Sequence, residues 1–148
     1  MTEAGYILNQ LPYTPPFLFV DELFNISENG ISGYYTFKDD EYFYRGHFKN
    51  NPVTPGVILI ETMAQIGLVC LGICLSKNEA DEWTQPGIVL SSADIEFLSP
   101  VYPGEKVTVV SQKKYFRFNK LKCDVEMKNS NEKIVCRGSI SGMIINKK

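Results

Sequence analysis

The sequence has few of the residues that metal-binding, secreted and redox proteins depend on. Its 148 residues include one histidine and four cysteines, and no two cysteines stand in a Cys-x-x-Cys pair. A structural zinc site needs closely spaced cysteine or histidine pairs, so we expect no metal. We expect four buried, reduced thiols, which is typical of a cytoplasmic protein. The first five residues have neither a basic nor an apolar segment and do not resemble a secretory signal.

An excess of positive charge is also missing. The formal net charge is −2, so no overall field attracts the protein to nucleic acid or to an anionic membrane. One basic run remains, formed by Lys113, Lys114, Arg117, Lys120 and Lys122. We interpret it as the solvated face of a hairpin, with a docking surface for an acidic partner as the alternative.

Only one long apolar run occurs, at residues 57–75. Apolar residues occupy nearly every face of the helix that it predicts, so this helix must be buried. The run contains Glu61 and Gln65 and is interrupted by Gly67 and Gly72, which favours a protein core over a membrane span. Start and stop signals flank it, at Pro55–Gly56 and at residues 76–78.

Most of the remaining sequence predicts β-strands. We predict six of them, at residues 17–26, 31–38, 87–97, 105–116, 120–128 and 133–145. The connections are short and contain turn residues such as Asn29–Gly30, which favours antiparallel pairing. We therefore expect a single α+β domain over residues 1–148, with one bent antiparallel sheet wrapped around one long buried helix.

The loop before this helix contains the residues best suited to acid–base chemistry. His47 is the only histidine of the chain, and histidine is the residue type best suited to act as a general base near neutral pH. Glu61 lies about one and a half turns into the apolar helix, where a carboxylate needs a partner or a function. Gln65, four residues later, lies on the same face and could hold it. Each residue also has a structural explanation, since a loop histidine can be structural and a helix glutamate can simply be paired.

The start of the helix adds a third element. The N–H groups of Gly56 and Val57 belong to the first turn, where amides lack partners within the helix and the dipole favours negative charge. A thioester carbonyl bound there would be polarised. Together with an acid and a base, these amides suit abstraction of a proton alpha to a carbonyl, followed by loss of a beta-hydroxyl group.

The same segment resembles a known family. Four short motifs carry the resemblance, and they are Gly46-His47-Phe48, Asn51-Pro52-Val53, Pro55-Gly56-Val57-Ile58 and Glu61-Thr62-Met63-Ala64-Gln65. They are similar to the signature of the 3-hydroxyacyl-acyl-carrier-protein dehydratases of the FabZ and FabA type. The flanking residues 11–21 and 97–105 resemble the same family, so the similarity covers most of the chain.

This resemblance implies a hotdog fold and a role for each site residue. His47 would be the catalytic base, Glu61 its acidic partner and Gly56 the amide donor to the thioester carbonyl. Val57, Phe48 and Gln65 would complete the substrate-binding site. The reaction would convert (3R)-3-hydroxyacyl thioesters to trans-2-enoyl thioesters in fatty-acid, polyene or polyketide synthesis, without a metal or other cofactor.

The resemblance also implies the partners. The substrate would arrive on the phosphopantetheine arm of an acyl carrier protein, and no nucleic acid or membrane is expected. A homodimer would combine His47 of one protomer with Glu61 of the other, and assembly into a hexamer as a trimer of dimers stays open. A hotdog acyl thioesterase and a non-catalytic hotdog partner subunit are the alternative functions.

Four positions depart from the family's pattern. Lys49–Asn50 stands where the family usually has Pro-Gly, Tyr13 replaces a usual histidine, and Thr54 replaces a usual methionine. The loop after His47 therefore loses the restraint of a proline, although Asn50 can still adopt a positive φ. We expect these changes to alter the pathway or the preferred acyl length.

Overall fold

The computed structural model describes residues 1–77 and 86–146. In these residues the elements are α1 (Glu3–Gln10), β1 (Glu22–Ser27), β2 (Gly30–Thr36), a 3-10 turn (Tyr42–Arg45), the central helix α2 (Gly56–Ser76), β3 (Pro86–Phe97), β4 (Lys106–Arg117), β5 (Lys120–Asn129) and β6 (Ile134–Asn146). Strands β2 to β6 begin and end within two residues of their predicted bounds. Asn78, the last residue of the predicted stop signal, lies outside the described residues.

The six strands form one antiparallel sheet in the order β1-β2-β4-β5-β6-β3. The central helix α2 contacts the strands from β2 to β6. The α+β hotdog architecture is thus confirmed. Short connections explain the neighbours β1-β2 and β4-β5-β6, whereas β3, which follows the helix, becomes the far edge of the sheet.

The helix is the centre of the hydrophobic core. It is long and apolar enough to span a membrane, but 83% of its most apolar 18-residue window is buried inside the protein. Leu68, Cys70 and Leu71 are completely inaccessible to solvent. All four cysteines are buried and free, as predicted. The apolar run therefore serves as the core of this fold, consistent with the interpretation from sequence.

One part of the helix differs from the uniform α-helix that we predicted. Residues Gln65–Val69 form a π-helical segment, and the Cys70 N–H donates to the Gln65 carbonyl five residues earlier. Ser111 of β4 donates a hydrogen bond of 2.8 Å to the carbonyl of Gly67 within this segment. The additional residue per turn places Cys70 on the same stripe of the helix as Glu61 and Gln65.

The N-terminal region differs from the sequence prediction in two places. The first strand begins at Glu22 rather than at residue 17, because the main chain of Phe17 and Phe19 bonds to the Gln65 side chain instead of to a strand. Helix α1 was not predicted. The Thr2 side chain accepts a hydrogen bond of 3.0 Å from the Gly5 N–H as its N-cap, and Ile7 is fully buried.

Candidate active site

The loop before the central helix is held by hydrogen bonds within its own main chain. The N–H of Val53 donates to the carbonyl of His47 over 2.9 Å. Phe48 and Asn51 exchange two main-chain bonds of 3.0 and 3.1 Å, and Asn50 between them has a φ of 60°. Asparagine tolerates this left-handed conformation better than most residues. The loop is therefore ordered by its backbone, without the proline that the resemblance would place at position 49.

His47 lies half-buried in this loop with a defined tautomer. Its Nδ1 is 2.9 Å from the carbonyl oxygen of Val53. A carbonyl can only accept, so in the neutral ring Nδ1 carries the proton and Nε2 keeps its lone pair. The imidazole stacks on the exposed ring of Phe48 with a centroid distance of 4.1 Å. This arrangement leaves Nε2 free to act as a base.

Glu61 lies half-buried on the first half of the helix. Burial raises the pKa of its carboxyl group, and the hydrogen bond from Gln65 partly opposes that shift. The Gln65 Nε2 donates to Glu61 Oε2 over 3.0 Å and also to the carbonyl of Phe17, while its Oε1 accepts from the Phe19 N–H. Gln65 itself is fully buried. The glutamine thus fixes both the carboxylate and the N-terminal segment.

Two amides at the start of the helix have no hydrogen-bond acceptor among the residues that the structure describes. Ile58 and Leu59 donate the first main-chain bonds of the helix, both to the Pro55 carbonyl, and the N–H groups of Gly56 and Val57 precede them. The ring of Phe97 covers Gly56 so closely that a Cβ there would lie 3.1 Å from Phe97 Cζ. Val57 is 72% exposed. Sequence analysis did not assign Phe97 to the site, because only the fold brings the end of β3 to this helix.

Among the residues that the structure describes, no hydrogen bond or ion pair joins His47 to Glu61 within one protomer. His47 Nδ1 is bonded to the Val53 carbonyl, and Glu61 Oε2 accepts from Gln65. Both side chains nevertheless belong to the segment around the N-terminal half of the helix.

Three further polar side chains near the site were not predicted to belong to it. Burial is the main cause that raises the pKa of the Tyr13 phenol. The nearby charges of Glu61 and Cys70 raise this pKa further. Tyr44 and Thr54 share a buried hydrogen bond of 2.6 Å. The departures at positions 13 and 54 were visible in the sequence, but their neighbours were not.

No group of three or more His, Cys, Asp or Glu side chains in the described part of the chain is arranged to hold a metal ion. The expectation that the reaction needs no metal or cofactor stays a prediction.

Comparison with known proteins identifies the family. The FabA-like domain matches residues 11–138, which is most of the chain. The chain belongs to the FabA-like family. A relative from Rhizobium etli named 3-hydroxyacyl-[acyl-carrier-protein] dehydratase FabZ is 34% identical over 148 residues, and the match covers 95% of this chain and 88% of that protein.

Two solved structures illustrate the fold that this member of the FabA-like family shares with other proteins. The dehydratase heterocomplex ApeI:P from Xenorhabdus doucetiae matches with a TM-score of 0.76 at 16% identity and covers 95% of this chain and 91% of its own. A hypothetical thioesterase from Streptococcus pneumoniae in complex with coenzyme A matches with a TM-score of 0.63 at 12% identity, covering 86% and 87% of the two chains. At these identities the structures support the fold alone.

Proposed function

We propose that this FabA-like protein removes water from 3-hydroxyacyl thioesters carried on an acyl carrier protein, giving trans-2-enoyl thioesters. The observation that carries the proposal is the free Nε2 of His47, left as a base by the Nδ1 bond to Val53. It occurs in a chain that is 34% identical to a named dehydratase over almost its whole length.

The first step is removal of a proton from C2 of the acyl group by His47 Nε2. The electrons move toward the thioester oxygen, which the N–H groups of Gly56 and Val57 would stabilise at the positive end of the helix. Phe97 covers Gly56 and would keep water from this oxygen. A neutral histidine is suited to this step, since only the neutral ring has a lone pair.

The second step is loss of the C3 hydroxyl group. The C3–O bond breaks, the double bond forms between C2 and C3, and the departing oxygen takes a proton from Glu61 and leaves as water. Burial raises the pKa of Glu61, which favours the protonated form that this step requires. Gln65 keeps the carboxyl group in place, and solvent returns a proton from His47 to Glu61 before the next turnover.

The proposed site requires two copies of the chain. Strand β3 forms an edge of the sheet, and it carries exposed apolar side chains at Val89 and Leu90. Val57 at the helix start is exposed as well. An unpaired edge with apolar side chains favours pairing with a second copy. A homodimer through β3, pairing His47 of one protomer with Glu61 of its partner, would complete the site; a hexamer of three such dimers would preserve it.

The name of the Rhizobium etli relative supports an acyl carrier protein as the carrier of the substrate. We place the protein in the cytoplasm and in fatty-acid biosynthesis or a related polyene or polyketide route. The exposed side chains of Phe48 and Val57 would contact the acyl chain or its phosphopantetheine arm.

The test is a direct assay with a purified 3-hydroxyacyl thioester of acyl carrier protein. We expect a product lighter by one water molecule that absorbs as a conjugated enoyl thioester, with His47→Ala and Glu61→Gln inactive. Glu28→Gln, in the exposed turn between β1 and β2, serves as the matched control and should keep full activity.

Other outcomes would contradict the proposal. Release of a free thiol without an enoyl product would identify a thioesterase, and binding without turnover would identify a partner subunit. Unchanged rates in both His47→Ala and Glu61→Gln would disprove the proposed residues.

A further inference from the structure

A buried pair of hydroxyl groups joins the two ends of the His47 loop. Tyr44 lies in the 3-10 turn before the loop and Thr54 lies immediately before Pro55, where the loop meets the helix. Their oxygens are 2.6 Å apart, and the two residues are only 7% and 5% exposed. The bond therefore spans the segment that carries His47.

The peptide group between Val53 and Thr54 orients the imidazole of His47. The carbonyl of Val53 and the N–H of Thr54 belong to one rigid, planar unit. On one side the Thr54 N–H donates to the Val101 carbonyl over 2.8 Å, and on the other the Val53 carbonyl accepts from His47 Nδ1 over 2.9 Å. A rotation of Thr54 would therefore move the acceptor of the histidine proton.

The chemistry of the pair indicates a role in orientation. Burial raises the pKa of Tyr44 to about 12, although the bond to Thr54 opposes the shift, so the phenol stays neutral and can donate at physiological pH. Two apolar side chains of similar shape could fill the same space at little cost in stability. A hydrogen bond between two hydroxyl groups also fixes their relative orientation, which apolar packing does not.

We propose that Tyr44 and Thr54 act as positioning residues, a hydroxyl clamp that fixes the Val53 carbonyl and thereby holds His47 in the tautomer with a free Nε2. The catalytic consequence rests on the proposed function, whereas the effect on the tautomer does not.

The first test reads the tautomer by nitrogen NMR. His47 is the only histidine of the chain, so its ring nitrogens give unambiguous signals. We expect the Nδ1–H form in the natural protein at a pH where the ring is neutral. Thr54→Val and Tyr44→Phe remove one hydroxyl each with little change in shape, and they should produce a mixture of tautomers. Thr54→Ser keeps the hydroxyl and should retain the natural signal.

The second test measures turnover of the 3-hydroxyacyl thioester. Thr54→Val and Tyr44→Phe should lower kcat about tenfold or more with KM within about twofold, because small misplacements of a catalytic group are costly. Thr54→Ser should restore activity. Thr62→Val is the matched control, since Thr62 is fully buried and its hydroxyl bonds over 2.8 Å to the Ile58 carbonyl in the helix, away from the loop.

The two tests separate the clamp from the function. An unchanged Nδ1–H signal in both Thr54→Val and Tyr44→Phe would overturn the clamp, as would losses of kcat no larger than in Thr62→Val. A natural protein that lacks dehydratase activity but shows the expected tautomer change would support the clamp and contradict the proposed function.

Discussion

The two halves of the central helix are both largely apolar, but their surroundings differ. The first half, Gly56–Ala64, begins with unbonded amides, exposes Val57 and carries the half-buried Glu61. The second half, Cys70–Ser76, is buried along almost its whole length and carries no charged residue. The comparison shows how one helix can provide a reactive end and a core. Chemistry is placed where the helix dipole and partial solvent access tolerate charge.

Removing the reactive groups should have the largest effect. We expect His47→Ala and Glu61→Gln to lower kcat by about 10²-fold to 10⁴-fold, because each removes a proton-transfer group. Both variants should unfold near the natural temperature, as thermal denaturation would check. A large loss of stability with unchanged turnover would remove the distinction between the two halves.

Substitutions in the second half of the helix should lower stability and leave turnover nearly unchanged. Leu71→Ala leaves a cavity in the core and should lower the free energy of unfolding by about 2–5 kcal/mol. Turnover per folded molecule should stay within about twofold, because Leu71 is fully buried in the half without chemistry. Denaturant titration and kinetics on the same sample measure both quantities, and a selective loss of kcat would contradict the comparison.

Gln65 lies between the two halves of the helix. Its replacement should therefore change both the stability of the protein and the pH dependence of turnover. Gln65→Leu leaves the buried Phe19 N–H without its partner, at a cost of about 1–3 kcal/mol, and also removes the donor to the partly buried Phe17 carbonyl. It also removes the donor that lowers the pKa of Glu61, so the limb of the pH–rate profile governed by Glu61 should move to higher pH. A limb that stays in place would show that Gln65 only supports the fold.

The smallest expected effect is a gain in stability on replacement of Glu61. Burial raises the pKa of Glu61 in the folded state, so ionisation of this carboxyl group opposes folding above that pKa. Glu61→Gln should therefore raise the unfolding temperature slightly at neutral pH, and the gain should disappear as the pH falls below the pKa of the unfolded carboxyl. A gain that does not depend on pH would contradict this origin.

The sequence predicted regular elements better than it predicted irregular ones. The run at 57–75 and the strands β2 to β6 depend on local apolar patterns and turn residues, which a sequence displays. The π segment depends on Gly67 meeting Ser111, and the late start of β1 depends on Gln65 capturing the main chain of Phe17 and Phe19. Such contacts join residues that are far apart in the sequence, so periodicity does not indicate them.

The candidate site likewise contains residues that the sequence indicates and residues that only the fold reveals. His47, Glu61, Gly56, Val57 and Gln65 could be chosen from residue type and position in one contiguous segment. The roles of Phe97 over Gly56 and of Tyr44 against Thr54 required the fold. In the sequence, Phe97 and Tyr44 look like ordinary core residues. Their contacts with Gly56 and Thr54 depend on the fold, so sequence analysis does not indicate them.

The most direct test of the account is complementation between two inactive variants. Inactive His47→Ala and inactive Glu61→Gln protein are mixed in equal amounts, allowed to exchange subunits, and assayed for enoyl thioester. A site shared between protomers predicts recovery of about one quarter of natural activity, since about half of the dimers are mixed and each contains one intact site. A mixture that exchanges subunits but stays inactive would contradict pairing of His47 with the partner's carboxylate.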